Sequence, residues 1–214
     1  MGTLPKATPL TLEGPAGAIE ALLETPSDGG PYGLAVVCHP HPLHGGTLTN
    51  KVTHTLARSF ANAGFSVLRF NFRGVGNSAG SFDDGNGELD DALCAVDWLV
   101  AANPDLPLWL AGFSFGAAIA IRAAAARSAA GLVSVAPAVS RVAGSGEEQP
   151  GCPWLIVQGD QDELVNIDDT VAWIDSLEPG PELSIFEETE HFFHGKLVPL
   201  RETVAGFVAR HHGE

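Results

Sequence analysis

Residues 34–38 read LAVVC, apolar at every position. A strand with one face in water alternates apolar and polar residues. An unbroken apolar run of this length therefore belongs to a strand covered on both faces. Strand-like segments recur at 66–72 (SVLRFNF), 107–113 (PLWLAGF), 131–137 (GLVSVAP), 153–159 (PWLIVQG) and 182–188 (ELSIFEE). Stretches of helical pattern lie among them. They cover 50–63 with Gly64 as terminator, 88–103 with acidic residues at its positive end, an Ala-rich 116–130, 168–177, and a tail over 197–211. Strands alternating with helices specify an α/β fold, a mostly parallel twisted sheet with helices on both faces. Two more strands, 10–14 and 18–24, flank PAG and form an antiparallel hairpin ahead of it. With no internal repeat and no low-complexity linker, 214 residues are expected to form one domain, 1–214.

Composition removes several functions. Hydrophobic residues make up 45% and charged residues 17% of the chain, which is globular rather than disordered. A net charge of −15 opposes nucleic acid and anionic membrane surfaces. No run of about 18 apolar residues exists to span a bilayer. MGTLPKATPL has neither the h-region nor the cleavage pattern of a signal peptide. Cys38, Cys94 and Cys152 are odd in number, far apart and each in apolar sequence, so they read as buried free thiols in a reducing compartment. The expected location is cytoplasmic.

In a parallel sheet, functional groups gather in the loops at the carboxyl ends of the strands. Two serines match Gly-x-Ser-x-Gly, Ser78 in GNSAG and Ser114 in GFSFG. Ser78 lies several residues past its strand, in a stretch too rich in Gly, Asn, Asp and Ser to start a helix. Ser114 stands between a strand and a helix with nothing else between them. Such a corner strains its central residue, needs glycine two positions either side, and aims the helix N-terminus, with the Phe115 N–H, at the hydroxyl. A nucleophilic serine needs a base, and the base needs an orienting acid. QGDQDELV after one strand offers Asp160 and Asp162, and EETEHFFHG after the next offers His191 and His194.

HPHPLHGG, at 39–46, places three histidines in one loop. The H-x-H spacing of His39 and His41 can bind zinc, but no carboxylate or cysteine cluster accompanies it, so no metal is assigned. Trp98, Trp109, Trp154 and Trp173 fall in helices or strands, where core packing is the default. Asp83 and Asp84 read as caps or surface groups, and the loop 74–87 as a pocket wall or a solvated connection.

GFSFG resembles the nucleophile elbow of the α/β-hydrolase superfamily, and GDQD its acid-bearing turn. EHFFHG resembles the turn that carries its histidine. HPHPLHGG and RFNFRGVGNSAG are similar to those of a group of small bacterial hydrolases without a lid domain. The resemblance runs from about residue 34 to the C-terminus. It implies Ser114 as nucleophile, His191 as base and Asp162 as the acid, with no cofactor. It also places the second oxyanion donor in HPHPLHGG. Pro40 and Pro42 lack an N–H, which leaves the His41 N–H as donor beside that of Phe115. His44, Gly45 and Gly46 are expected to line the pocket. Only AVSRVAGSGEEQPG separates the strand after the elbow helix from the next, too little for a cap, so an open cleft is expected between the HPHPLHGG and GNSAGSFDD loops. The implied activity is hydrolysis of carboxylic esters of small or exposed substrates, with thioester, peptide or lactone hydrolysis as the same chemistry on another bond. A binding protein on an inherited hydrolase fold is the alternative of another class.

Overall fold

Alternation within the strands divides the core in two. In the computed structural model, which describes residues 6–26, 30–142 and 149–212, β3 (Gly33–Cys38) sends Leu34, Val36 and Cys38 to one face and Ala35 and Val37 to the other. β5 (Leu108–Phe113), β6 (Gly131–Val135) and β7 (Trp154–Gly159) alternate in the same way and are buried at every position. Both faces must therefore be covered. α2 (Asn86–Ala102) and α3 (Phe115–Ala126) pack on one face; α1 (Lys51–Asn62) and α5 (Leu197–His211) pack on the other.

The sheet has eight strands in the order β1-β2-β4-β3-β5-β6-β7-β8. The hairpin of β1 (Lys6–Gly14) and β2 (Gly17–Thr25) joins antiparallel to β4 (Phe65–Phe70), and every later pairing, out to the edge strand β8 (Glu182–Phe186), is parallel. The chain leaves β3 towards β4 on one side and returns as β5 on the other. The carboxyl ends of β3 and β5 thus flank the switch point where α/β sheets place their crevice. Among the described residues no helix is long and apolar enough to cross a membrane.

Several elements depart from the sequence expectation for local reasons. α2 starts at Asn86, inside a stretch that reads as loop throughout. The Glu88 carboxylate, buried in the first turn, accepts the N–H groups of Asp83 and Gly85, while Asp83 accepts that of Gly87. These acceptors satisfy the helix start despite its glycines. α3 stops at Ala126 rather than 130, where Ser128 turns to φ +48°. β1 begins at Lys6 and carries Pro9, which an edge strand tolerates. Trp98 is 39% exposed on the outer side of α2 rather than in the core. The three thiols are free, but only Cys38 is fully buried; Cys94 and Cys152 are half-buried. The loop expected over 138–151 forms a short 3₁₀ turn at Val139–Arg141, and 143–148 lie outside the described residues.

A buried polar set fastens the hairpin and the 45–50 loop to β4. Arg69 donates to Glu24 Oε1 through Nε and Nη2, at 3.1 and 2.7 Å, and to the Leu48 carbonyl through Nη1 at 2.6 Å. Asn71 accepts the Leu48 N–H and donates to Glu20. Removing Arg69 leaves the buried Glu24 carboxylate only the more distant Arg58, 3.9 Å away. Arg69→Met is therefore expected to lower unfolding free energy by about 3–5 kcal/mol in urea titrations, and Arg69→Met with Glu24→Leu to recover at least half of that loss.

Candidate functional site

β5 runs directly into α3, and the corner between them is tight enough to exclude side chains. A Cβ on Gly112 would lie 2.2 Å from the Gly116 carbonyl oxygen, and one on Gly116 would lie 2.2 Å from that of His39. The first turn of α3 therefore rests on the end of β3, and Ser114 between the glycines takes φ 56° and ψ −119°. A non-glycine residue in that region stores about 1–3 kcal/mol of strain, which the surrounding structure must hold. Here the Ser114 N–H donates to the Val135 carbonyl at 2.8 Å, and the Ala138 N–H donates to the Ser114 carbonyl.

Two later loops bring their side chains to this hydroxyl. His191 Nε2 lies 3.1 Å from Ser114 Oγ, and its Nδ1 lies 2.8 and 3.0 Å from the two oxygens of Asp162. Both His191 and Asp162 side chains are buried. Asp162 Oδ1 also accepts the N–H groups of Leu164 and Val165. Burial alone would push this carboxyl upward. The hydrogen bond from His191 and those from the backbone outweigh burial and hold it below the ordinary aspartate value. Nδ1 facing a carboxylate carries the proton, which leaves Nε2 free to accept one from the serine. The competing residues lie elsewhere. Asp160 accepts the Thr189 N–H, and His194 is exposed beside Glu190. Ser78 is buried, donating to the Asn71 carbonyl and accepting the Glu20 N–H.

Gln158, the last polar residue of β7, was not singled out in the sequence. It is fully buried and donates through Nε2 to Asp162 Oδ2 at 2.9 Å and to the Val165 carbonyl at 3.3 Å. Its own Oε1 is buried without a donor among the described residues. The amide cannot be reversed to relieve this, because Oε1 would then face the carboxylate. A glutamine closing an otherwise apolar strand, four residues before the acid, is the signal that points to it.

The HPHPLHGG loop leaves β3 beside the elbow. His41 caps a 3₁₀ turn, Pro42–His44. The turn draws on the His41 ring, which accepts the Leu43 N–H, and on its carbonyl, which accepts from His44 and Gly46. None of these bonds uses the His41 N–H. The Phe115 N–H heads α3, where helix geometry supplies no acceptor. Gly46 is needed because a Cβ there would lie 2.0 Å from the Pro40 carbonyl oxygen. Gly45 holds φ +78°. Both glycines shape the turn rather than line the cleft, which corrects their expected place.

His39 has a structural use. It is fully buried, with Nδ1 2.6 Å from the Pro40 carbonyl and Nε2 accepting the Phe72 N–H at 3.0 Å. Both ring nitrogens are engaged, so His39 is not available for an H-x-H metal pair with His41. Instead it ties the start of the loop to the segment after β4.

A cleft of about 810 Å³ opens over Ser114. His41, His44 and Phe115 form one side; the Val139–Arg141 turn and residues of α4 (Ile167–Ile174), with Trp173 prominent, form the rest. Trp173 is half-buried, packed edge-on against Trp154, and belongs to the cleft wall as well as the core. The wall is thus built by α4 and not by the 74–87 loop, whose contribution is indirect: Phe82 packs on His41 and Phe115, with ring centroids 4.9 and 5.9 Å away.

Residues 41–148 match the family model described as "Serine aminopeptidase, S33". An uncharacterised protein of Rickettsia prowazekii is 37% identical over 206 residues, 91% of this chain and 86% of its own. A serine hydrolase without a lid from Xanthomonas campestris superposes with a TM-score of 0.91 at 42% identity, covering 98% of this chain and 97% of that one. An α/β serine hydrolase homologue from Coxiella burnetii gives 0.89 at 39% identity, over 96% and 97%.

Burial lowers the His39 imidazole to about 4. The unfolded chain binds a proton there near pH 6.5 and the fold only near 4. Its contribution to stability is therefore complete above about 6.5 and is lost as pH falls towards 4. The loss reaches about 3 kcal/mol at most. His39→Gln keeps a donor and an acceptor but cannot titrate. Urea unfolding at pH 4.5 and 7.5 is expected to show a smaller difference for this variant than for wild type.

Proposed function

Because this chain belongs to the α/β serine hydrolase family that these relatives and the serine aminopeptidase S33 model represent, we propose that it hydrolyses carboxylic esters of small or exposed substrates through an acyl-enzyme on Ser114. The observation that carries the reading is one continuous chain of hydrogen-bonding groups. It runs from the strained elbow serine through His191 to a buried carboxylate, at 3.1 and 2.8 Å. Such a chain serves a serine that gives up its proton, and a binding site has no use for it.

In the reaction, Ser114 Oγ attacks the carbonyl carbon while His191 Nε2 takes its proton. Asp162 stabilises the resulting imidazolium and fixes the ring. The carbonyl oxygen gains negative charge between the Phe115 and His41 N–H groups, which α3 and the proline-stiffened loop hold in place beforehand. His191 returns the proton to the leaving alcohol. It then draws one from water, whose attack on the acyl carbon frees Ser114. Gln158 acts through Asp162, holding the second carboxylate oxygen in line with Nδ1. With a cleft open to solvent, long chains gain little apolar cover, and each CH₂ left in water forgoes about 0.8 kcal/mol of binding. Short, soluble esters fit best.

Ser114→Ala is expected to abolish labelling by a fluorophosphonate and to cut ester turnover at least about a thousandfold. Ser78→Ala should leave labelling intact, and labelling that followed Ser78 would defeat the assignment. His191→Ala should lose about a hundredfold or more in kcat, while His194→Ala changes it little. Equal losses in both would place the base elsewhere. Across a series of para-nitrophenyl esters, acyl chains of about two to six carbons should outperform those beyond about ten. Gln158→Leu deletes an unmet carbonyl but also the donor to Asp162 and Val165, so the melting temperature should change little while kcat falls about tenfold.

A further inference from the structure

We propose that the cleft takes esters carrying a carboxylate or phosphate group, held by Arg141. The proposal rests on the hydrolase reading of Ser114 and names the substrate class of that site.

Three arginines of this chain turn the same two nitrogens to a carboxylate. Arg73 closes on Asp91 with Nε and Nη2 together, at 3.0 and 2.8 Å. Arg127 does the same with Asp97, at 2.7 and 3.0 Å, and Arg69 turns the same two nitrogens to Glu24. Arg141 differs. Only its Nη1 is engaged, by the side chain and carbonyl of Asp84 at 3.0 and 3.4 Å. The Nε–Nη2 edge, which the other three give to carboxylates, meets no acceptor among the described residues. That edge is the planar fork suited to a bidentate carboxylate or phosphate.

Its place is equally specific. Arg141 lines the cleft that holds Ser114, and its guanidinium lies 5.0 Å above the Phe115 ring. A cation at that distance from an aromatic face is attracted to it, and Phe115 is the residue whose N–H heads α3 beside Ser114. The Arg141 side chain is 33% exposed and that of Asp84 79%. The existing pair is thus a solvated one, worth about 0–1 kcal/mol, and Asp84 can share the guanidinium or leave it. Arg122, which donates to the Gly85 carbonyl through Nη1 at 2.8 Å, lies on the same side. It and Arg141 both line a cavity of about 200 Å³ adjoining the cleft, and both Nη1 atoms lie within 3.8 Å of where a Gly85 Cβ would be. Burial lowers the His41 imidazole first, then the charges of His44 and Arg141, against the opposing charge of Asp84.

Two features oppose an anion. Asp169 lines the α4 side of the cleft, and the chain carries a net charge of −15. At about 0.15 M salt, charges beyond roughly 8 Å are largely screened, whereas a group in contact with the fork is not. The local cation therefore decides.

Two matched substrate pairs test this and separate the sources of charge. Para-nitrophenyl hydrogen glutarate against para-nitrophenyl valerate places the charge on the acyl side. Butyrylglycerol phosphate against monobutyrin places it on the alcohol side. For wild type, kcat/KM is expected to favour the anionic member of one pair at least tenfold, and the responding pair tells which side Arg141 reads. Arg141→Gln should reduce that ratio at least tenfold and Arg141→Lys by less. Asp84→Asn, at an exposed site, should raise it. No anionic preference in either pair, or a ratio untouched by Arg141→Gln and Asp84→Asn, overturns the proposal. Fluorophosphonate labelling and turnover of the neutral esters are read in parallel. If both are absent, the hydrolase reading has failed; if both are present without anionic preference, only this inference has.

Discussion

The close approach of α3 to the end of β3 is the constraint on which the rest of the site depends. Gly112 and Gly116 let a helix begin one residue after a strand ends and set its first turn against the carbonyls of Cys38 and His39. One contact thereby strains Ser114 into a half-buried corner, leaves the Phe115 N–H without a helical acceptor, and fixes α3 relative to the loop that starts at His39. The strain is held by bonds on both sides, from Ser114 N–H to Val135 and from Ala138 N–H to Ser114. A looser corner would relieve Ser114 and lose its register with the loop together.

What surrounds that contact is polar and buried. His39 spans Pro40 and Phe72, and Asn71 and Arg69 hold the two ends of Leu48, so the loop after β3 is braced on β4 through side chains. Arg69 is in turn neutralised by Glu24 on β2, which gives the N-terminal hairpin a part in supporting the site, although it contributes no residue to the cleft. Apolar packing alone tolerates small slips of a loop. Hydrogen bonds to fixed backbone atoms do not, because each slip leaves a buried polar group unpaired.

Much of this was legible in the sequence because it follows from local rules. The unbroken run at 34–38 announced a strand covered on both faces, and the glycines flanking Ser114 announced its corner, since neither feature has another common use. The order of the acid and histidine loops put Asp162 and His191 at one edge of the sheet, and the resemblance, more than the spacing, chose them over Asp160 and His194. The misreadings have a common physical cause. Gly85, Asn86 and Gly87 look like loop because their helix-starting partner, Glu88, acts through carboxylate bonds that composition does not display. Gly45 and Gly46 looked like pocket because a glycine says that space is tight without saying what fills it, and at Gly46 the space is filled by Pro40. α4 went unrecognised as a cleft wall because adjacency between β7–α4 and the Val139–Arg141 turn exists only in the folded sheet.

Gln158 shows where reading residues one at a time runs out. As a glutamine in a buried strand it carries a carbonyl that no donor among the described residues meets. A leucine would pack there without that penalty but would take the donor from Asp162 and Val165. Yet its Nε2 reaches the same oxygen of Asp162 that faces His191, so the unpaired carbonyl and the orientation of the acid are two ends of one amide. A donor placed towards the carboxylate leaves an acceptor pointing away from it, which no donor among the described residues meets. The stability forgone at Oε1 is therefore coupled to the order imposed at Asp162. The pairing becomes visible only when the strand end and the acid loop are seen folded against each other.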